Sequence, residues 1–71
     1  MVTLIDIKRT YGDGGMRLEL LSDSKEDVLP TQLADVPGIT GAGSIAAGSI
    51  CTTPALDMCI MANDGTWGPW V

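Results

Sequence analysis

The chain opens on an alternation of apolar and polar positions. From Val2 to Thr10 (V-T-L-I-D-I-K-R-T) β-branched and aliphatic residues dominate, with Thr3, Ile5 and Ile7 on one face of an extended strand and Val2, Leu4 and Asp6 on the other. Met16 to Leu21 alternates again, setting Met16, Leu18 and Leu20 against Arg17, Glu19 and Leu21. Between the two runs, Gly12, Gly14 and Gly15, set around Asp13, can supply the positive φ angles of a tight reversal. The pattern predicts an antiparallel hairpin over residues 1–22, with Gly12, Asp13 and Gly14 in its turn.

Periodicity then disappears. Ser22 to Asp27 is polar; Ser24 can cap a short helical turn, which Pro30 would stop. Pro30, Pro37 and Gly38 make the following residues an extended connection, so that 23–47 reads as a polar and then Gly/Ala-rich link. Within it a short echo stands out: Ala42-Gly43-Ser44-Ile45 and Ala47-Gly48-Ser49-Ile50. Side chains this small permit close backbone approach, suiting a segment that lies against another subunit. A flexible linker is the other reading.

Residues 48–71 regain strand character. Ser49 to Thr53 and Met58 to Met61 have β composition and flank a turn at Pro54-Ala55-Leu56-Asp57. Asn63-Asp64-Gly65 is a second turn signal, followed by Thr66-Trp67-Gly68-Pro69-Trp70-Val71, which Pro69 confines to a sheet edge. The expected fold is all-β: an N-terminal hairpin, an extended connection and a C-terminal three-stranded antiparallel meander, in one small domain. A four-residue turn at 54–57 pairs Cys51 with Ile60 and Thr52 with Cys59, which places the sulfurs on opposite faces. A loop one residue longer or shorter would set Cys51 opposite Cys59, within disulfide reach. The turn favours the first register and free thiols.

Size changes the picture. A chain of 71 residues buries only about 60% of the surface it exposes when unfolded. This one has no Phe, one Tyr and two Trp with which to build its core. Such a domain is expected to lean on a partner or on copies of itself. Trp67 and Trp70, three apart on a strand, would point to opposite faces, one into the core and one outward as an interface anchor. With Pro69, Ile45, Ile50, Gly43 and Gly48 they are the interface candidates. A strand ending the chain would also offer a free edge for β-addition.

The net charge of −5 argues against nucleic acid as a ligand. It is unevenly spread. Lys8, Arg9, Arg17 and Lys25 balance Asp6, Asp13, Glu19 and Asp23, whereas Glu26, Asp27, Asp35, Asp57 and Asp64 have no basic residue after position 25 to offset them. Val36 to Leu56 is the longest uncharged run, but its Gly, Pro, Ser and Thr content makes it too polar for a membrane span, and no secretory signal is evident. No catalytic, cofactor or metal site is expected. There is no His, C-x7-C lacks further ligands, the acidic positions miss the EF-hand spacing, and the glycines lack a phosphate-loop ending.

Several segments resemble short bacteriophage proteins encoded among virion structural genes. The likeness lies in Leu20-Leu21-Ser22-Asp23-Ser24-Lys25, Leu29-Pro30-Thr31, Gly48-Ser49-Ile50, Asp57 and Asn63-Asp64-Gly65-Thr66-Trp67. The chain departs from that pattern at Pro54-Ala55-Leu56-Asp57, which replaces an Asp-Thr-Gly turn. It departs again at Met58 and Cys59, where a Tyr is usual, and in the Ala/Gly insert at 41–48. The resemblance implies a non-enzymatic virion component made in the host cytoplasm: a capsid decoration, head-fibre, neck or tail-associated protein. It would form a homo-oligomer and dock on a larger virion protein such as the major capsid protein. Two alternatives stand beside it: a small acidic inhibitory module that binds a host protein, and a redox or metal miniprotein built on Cys51 and Cys59.

Overall fold

The computed structural model describes residues 1–71. Four strands form one mixed sheet in the order β1-β2-β3-β4, with β1 at Val2–Thr10, β2 at Met16–Ser22, β3 at Ile50–Thr52 and β4 at Met58–Ile60. There is no α-helix; one 3-10 turn, Leu33–Asp35, lies in the long connection. The class is all-β. The N-terminal hairpin forms as the alternation predicts, but strict alternation fails on β1. Leu4 pairs with Leu20 and Ile7 with Leu18, so bulges leave Ile5 and Lys8 without partners and return Ile7 to the side of Leu4.

The expected meander is replaced by a crossover. β3 joins β2 in parallel, Glu19 opposite Ile50 and Leu21 opposite Thr52, and only then turns back antiparallel into β4. Parallel neighbours need a connection of a dozen residues or more. Residues 23–49 supply it and fold over one face of the sheet, where Leu33, Val36 and Ile45 become buried. The core is this layer against Leu18, Leu20, Cys51, Cys59 and Met61, with Val2, Leu4, Met16, Leu29, Ile39, Trp67 and Trp70 packed around it.

The Ala-Gly-Ser-Ile echo has a structural meaning. Each copy docks on β2: Ile45 bridges to Met16, and Ile50 pairs with Glu19. The spacing is five residues on one side and three on the other, so the chain must bow outward between the contacts. Ser49 repairs the break. Its hydroxyl accepts a hydrogen bond from the Leu18 N–H at 3.0 Å and donates to the Ala46 carbonyl at 2.7 Å, satisfying a buried donor that the ladder cannot reach. Close approach is also real, but it is made within the chain. A side chain on Gly43, whose φ is 137°, would stand 2.7 Å from the Gly14 carbonyl oxygen.

Three reversals share one design. In each, the first residue's N–H reaches the carbonyl four residues on, and the fourth residue's N–H returns to the first carbonyl. The pairs are Tyr11 and Gly15, Thr53 and Asp57, and Ala62 and Thr66. The fourth position is left-handed every time: Gly14, Leu56 and Gly65. This is a three-residue loop with a bulge, one residue tighter than the four-residue turn expected at 54–57. The register therefore shifts, and Cys51 pairs with Cys59, Ile50 with Ile60, and Thr52 with Met58.

Candidate functional site

Pairing and burial divide the sheet into two faces. Leu18, Leu20, Ser22, Cys51 and Cys59 turn inward and are buried. The residues between them turn away in two rows: Thr3, Leu21, Thr52 and Met58, and Asp6, Glu19, Ile50 and Ile60. This outer face contributes no residue to the buried core. Leu21, Ile50 and Met58 are only half-buried, and Ile60 is 46% exposed. None of the four packs against the core cluster.

The outer face is itself divided. On the β1 side it is ionic: Lys8 Nζ stands 3.2 Å from Asp6 and 3.4 Å from Glu19, which holds its ammonium above the ordinary value through hydrogen bonds to both carboxylates. On the β3–β4 side it is apolar. Leu56, at the tip of the loop joining those strands, is apolar and 89% exposed. Its φ of 70° is a conformation in which the two sister turns use glycine, so its side chain is held out at a cost.

The sheet's edges differ as well. Beyond β4 the C-terminal residues form no regular strand, only a Met61–Trp67 bridge and bonds from Gly68 to Ile60 and between Val71 and Met58. Pro69 interrupts the ladder, and strand alternation does not apply to the tryptophans. Both rest against the core, and Trp67 donates its indole N–H to the Pro30 carbonyl at 2.8 Å. Neither is the outward anchor that their spacing suggested, and this segment covers an edge instead of offering one. The open edge is β1, whose bulges and Lys8 discourage another strand from pairing there.

The remaining candidates separate by position. Ile45 is buried in the core, where no partner can reach it. Gly43 packs on the first turn and Gly48, at φ 87°, sits in the bow of the echo beside Arg17. Ile50 alone lies on the bare face. Asp13 and Asp64 accept backbone N–H groups from Gly15 and Thr66, so these acids hold turns. Leu21, Met58, Ile60 and Leu56 were not singled out by sequence, although Leu21 was already visible on the charged side of its strand's alternation.

Two other features carry chemistry. Cys51 and Cys59 are free, buried thiols; burial pushes Cys51 up to about 11, with Cys59 adding to the shift, and burial raises Cys59 too. Such thiols hold almost no thiolate at neutral pH. An open groove of about 470 Å³ is lined by Val2, Leu29, Pro30, Thr31, Asp35 and Pro37, among others. It brings together no nucleophile and base. Comparison with family models, curated proteins and solved structures gives no match to this chain.

Proposed function

We propose that this protein is a non-enzymatic structural component of the bacteriophage virion that works by self-association and by docking on a larger virion protein. The observation that carries the self-association is the bare apolar half of the sheet, formed by Leu21, Ile50, Met58 and Ile60. In a protein with only eight buried hydrophobic residues, holding three such side chains half-buried and Ile60 exposed on one face leaves apolar area for another surface. The preferred occupant is a second copy. The face carries apolar residues beside paired charges of both signs, and a two-fold contact can match each half to its like or opposite counterpart. Leu56 adds an exposed apolar tip whose strained backbone favours a role outside the monomer's own packing. The virion assignment rests on the sequence resemblance of the Ser-Asp-Ser-Lys, Gly-Ser-Ile and Asn-Asp-Gly-Thr-Trp segments.

Sedimentation equilibrium at micromolar concentration tests the first part. The native chain is expected to associate, and Ile60→Lys to shift it to monomer while circular dichroism stays unchanged. A native protein that remains monomeric at all concentrations overturns it. Mass spectrometry of purified particles tests the second part, because an inhibitor of a host protein would be missing from virions.

A further inference from the structure

We propose that Cys51 and Cys59 are a reversible oxidative staple, closing a disulfide across β3 and β4 in exchange with a small-molecule disulfide. The register carries the inference. The two residues are direct antiparallel partners, and both side chains lie on the inner face, buried side by side. The bonds from Met61 N–H to the Ser49 carbonyl and from Thr53 N–H to the Asp57 carbonyl mark residues 49/61 and 53/57 as hydrogen-bonded pairs. Pairs alternate along an antiparallel ladder, so 51/59 is hydrogen-bonded too, with a Cα separation of about 5.5 Å expected for that class. That Cα separation falls inside the range found in disulfides.

The surroundings favour this chemistry over metal binding. No cluster of three His, Cys, Asp or Glu side chains exists to complete a coordination sphere. The mutual influence of the two sulfurs is visible in the way Cys59 disfavours the Cys51 thiolate. Access comes from the β4 side of the sheet, where the irregular C-terminal segment is held by three backbone bonds to Met58 and Ile60, the packing of Trp67 and Trp70, and the Trp67–Pro30 hydrogen bond. Its opening exposes the pair, and the scarcity of thiolate makes the folded protein slow to react.

The exchange balances as follows. One cysteine thiolate, after losing its proton to solvent, attacks the oxidant RSSR and releases RS⁻, forming a mixed disulfide. The second attacks the protein sulfur of that mixed disulfide and releases another RS⁻; the two released thiolates take up the two protons. The protein loses two electrons and two hydrogens, and RSSR becomes two RSH. In a reducing compartment the staple stays open, and in an oxidising one it closes.

The test uses the whole chain equilibrated with oxidised and reduced glutathione, quenched with an alkylating agent and weighed intact. The folded protein is expected to give a monomer lighter by two hydrogens and unmodified by glutathione, restored by dithiothreitol. Cys59→Ser and Cys51→Ser are expected to give only the mixed disulfide or free thiol. The same equilibrium in concentrated urea separates a built pair from two cysteines that are merely near in sequence. The fold should raise the equilibrium constant for closing the bridge at least about tenfold. An equal or lower constant in the folded state overturns the proposal, as does a folded product that stays reduced, carries two glutathiones or links two chains.

Discussion

Leu18 and Leu20 point from β2 into the core, while Arg17, Glu19 and Leu21, each one residue away, face outward from it. The inner side is closed by the crossover of residues 23–49 and leaves no buried side-chain polar atom without a partner. The outer side has no such layer, and its apolar half runs from Leu21 on β2 across the two shortest strands. A second layer thus explains why the chain folds. The face without one is the surface on which the proposed self-association rests. The difference teaches that apolar alternation alone locates two surfaces, and only the connecting segment decides which becomes the core.

The contrast is broken most forcefully from inside. Leu20→Ala should cost about 3–5 kcal/mol, because a fully buried side chain leaves a cavity in a very small core. Chains of this size hold only some 0.05–0.15 kcal/mol per residue, so urea denaturation should find this variant largely unfolded. Leu21→Ala, next in sequence but half-buried on the outer side, should cost clearly less in the monomer, since no core cavity is left behind. Comparable losses at both positions would remove the distinction between the faces.

Ser49→Ala is the next largest. Removing the hydroxyl strands the buried Leu18 N–H, at about 1–3 kcal/mol, with thermal melting as the measure. Leu56→Gly sharpens the contrast from the other side. It removes left-handed strain at an exposed position and should raise monomer stability by roughly 0.5–1 kcal/mol, while weakening self-association. A variant that gains stability without losing association would strip Leu56 of its outward role.

The smallest effect depends on pH. The Met1 ammonium at 2.7 Å, followed by the Ser22 hydroxyl, lowers Asp27 from 3.8 to about 2, and the same contact raises the ammonium above 8.0. A depressed acid stabilises above its unfolded value, and that contribution fades as pH falls from about 4 towards 2. The raised ammonium stabilises below pH 8 and loses its contribution as pH climbs beyond. Asp27→Asn should flatten both limbs in melting curves taken across pH. It should leave the outer face's association unchanged, because the contact lies off that face.

Much of this architecture was legible in the residues. The hairpin, the strand at 50–52, the strand at 58–60 and two of the three turns follow from alternation and from Asp-Gly pairs. Three things were hidden, each for a physical reason. The bulges at Ile5 and Lys8 carry no glycine or proline to announce them. The third turn places leucine where its sisters place glycine, so nothing in its residues announces its length or the cysteine register that follows from it. The parallel pairing of β3 with β2 is a contact across a long crossover, on which local pattern is silent. The bare face was half legible: Ile50 was singled out for its place in the echo, while Met58 and Ile60 needed the register to join it.

That parallel insertion has a consequence for how the polypeptide comes into being during translation. The first twenty-two residues can zip into a hairpin within microseconds, long before a ribosome adding some 5–20 residues per second has delivered Ile50. Until then the inner margin of β2 has no neighbour, and its greasy side has no lid. The nascent hairpin must wait for seconds with one rim unsatisfied, and the kinked, charged β1 leaves β2 as the rim where a stray strand would intrude.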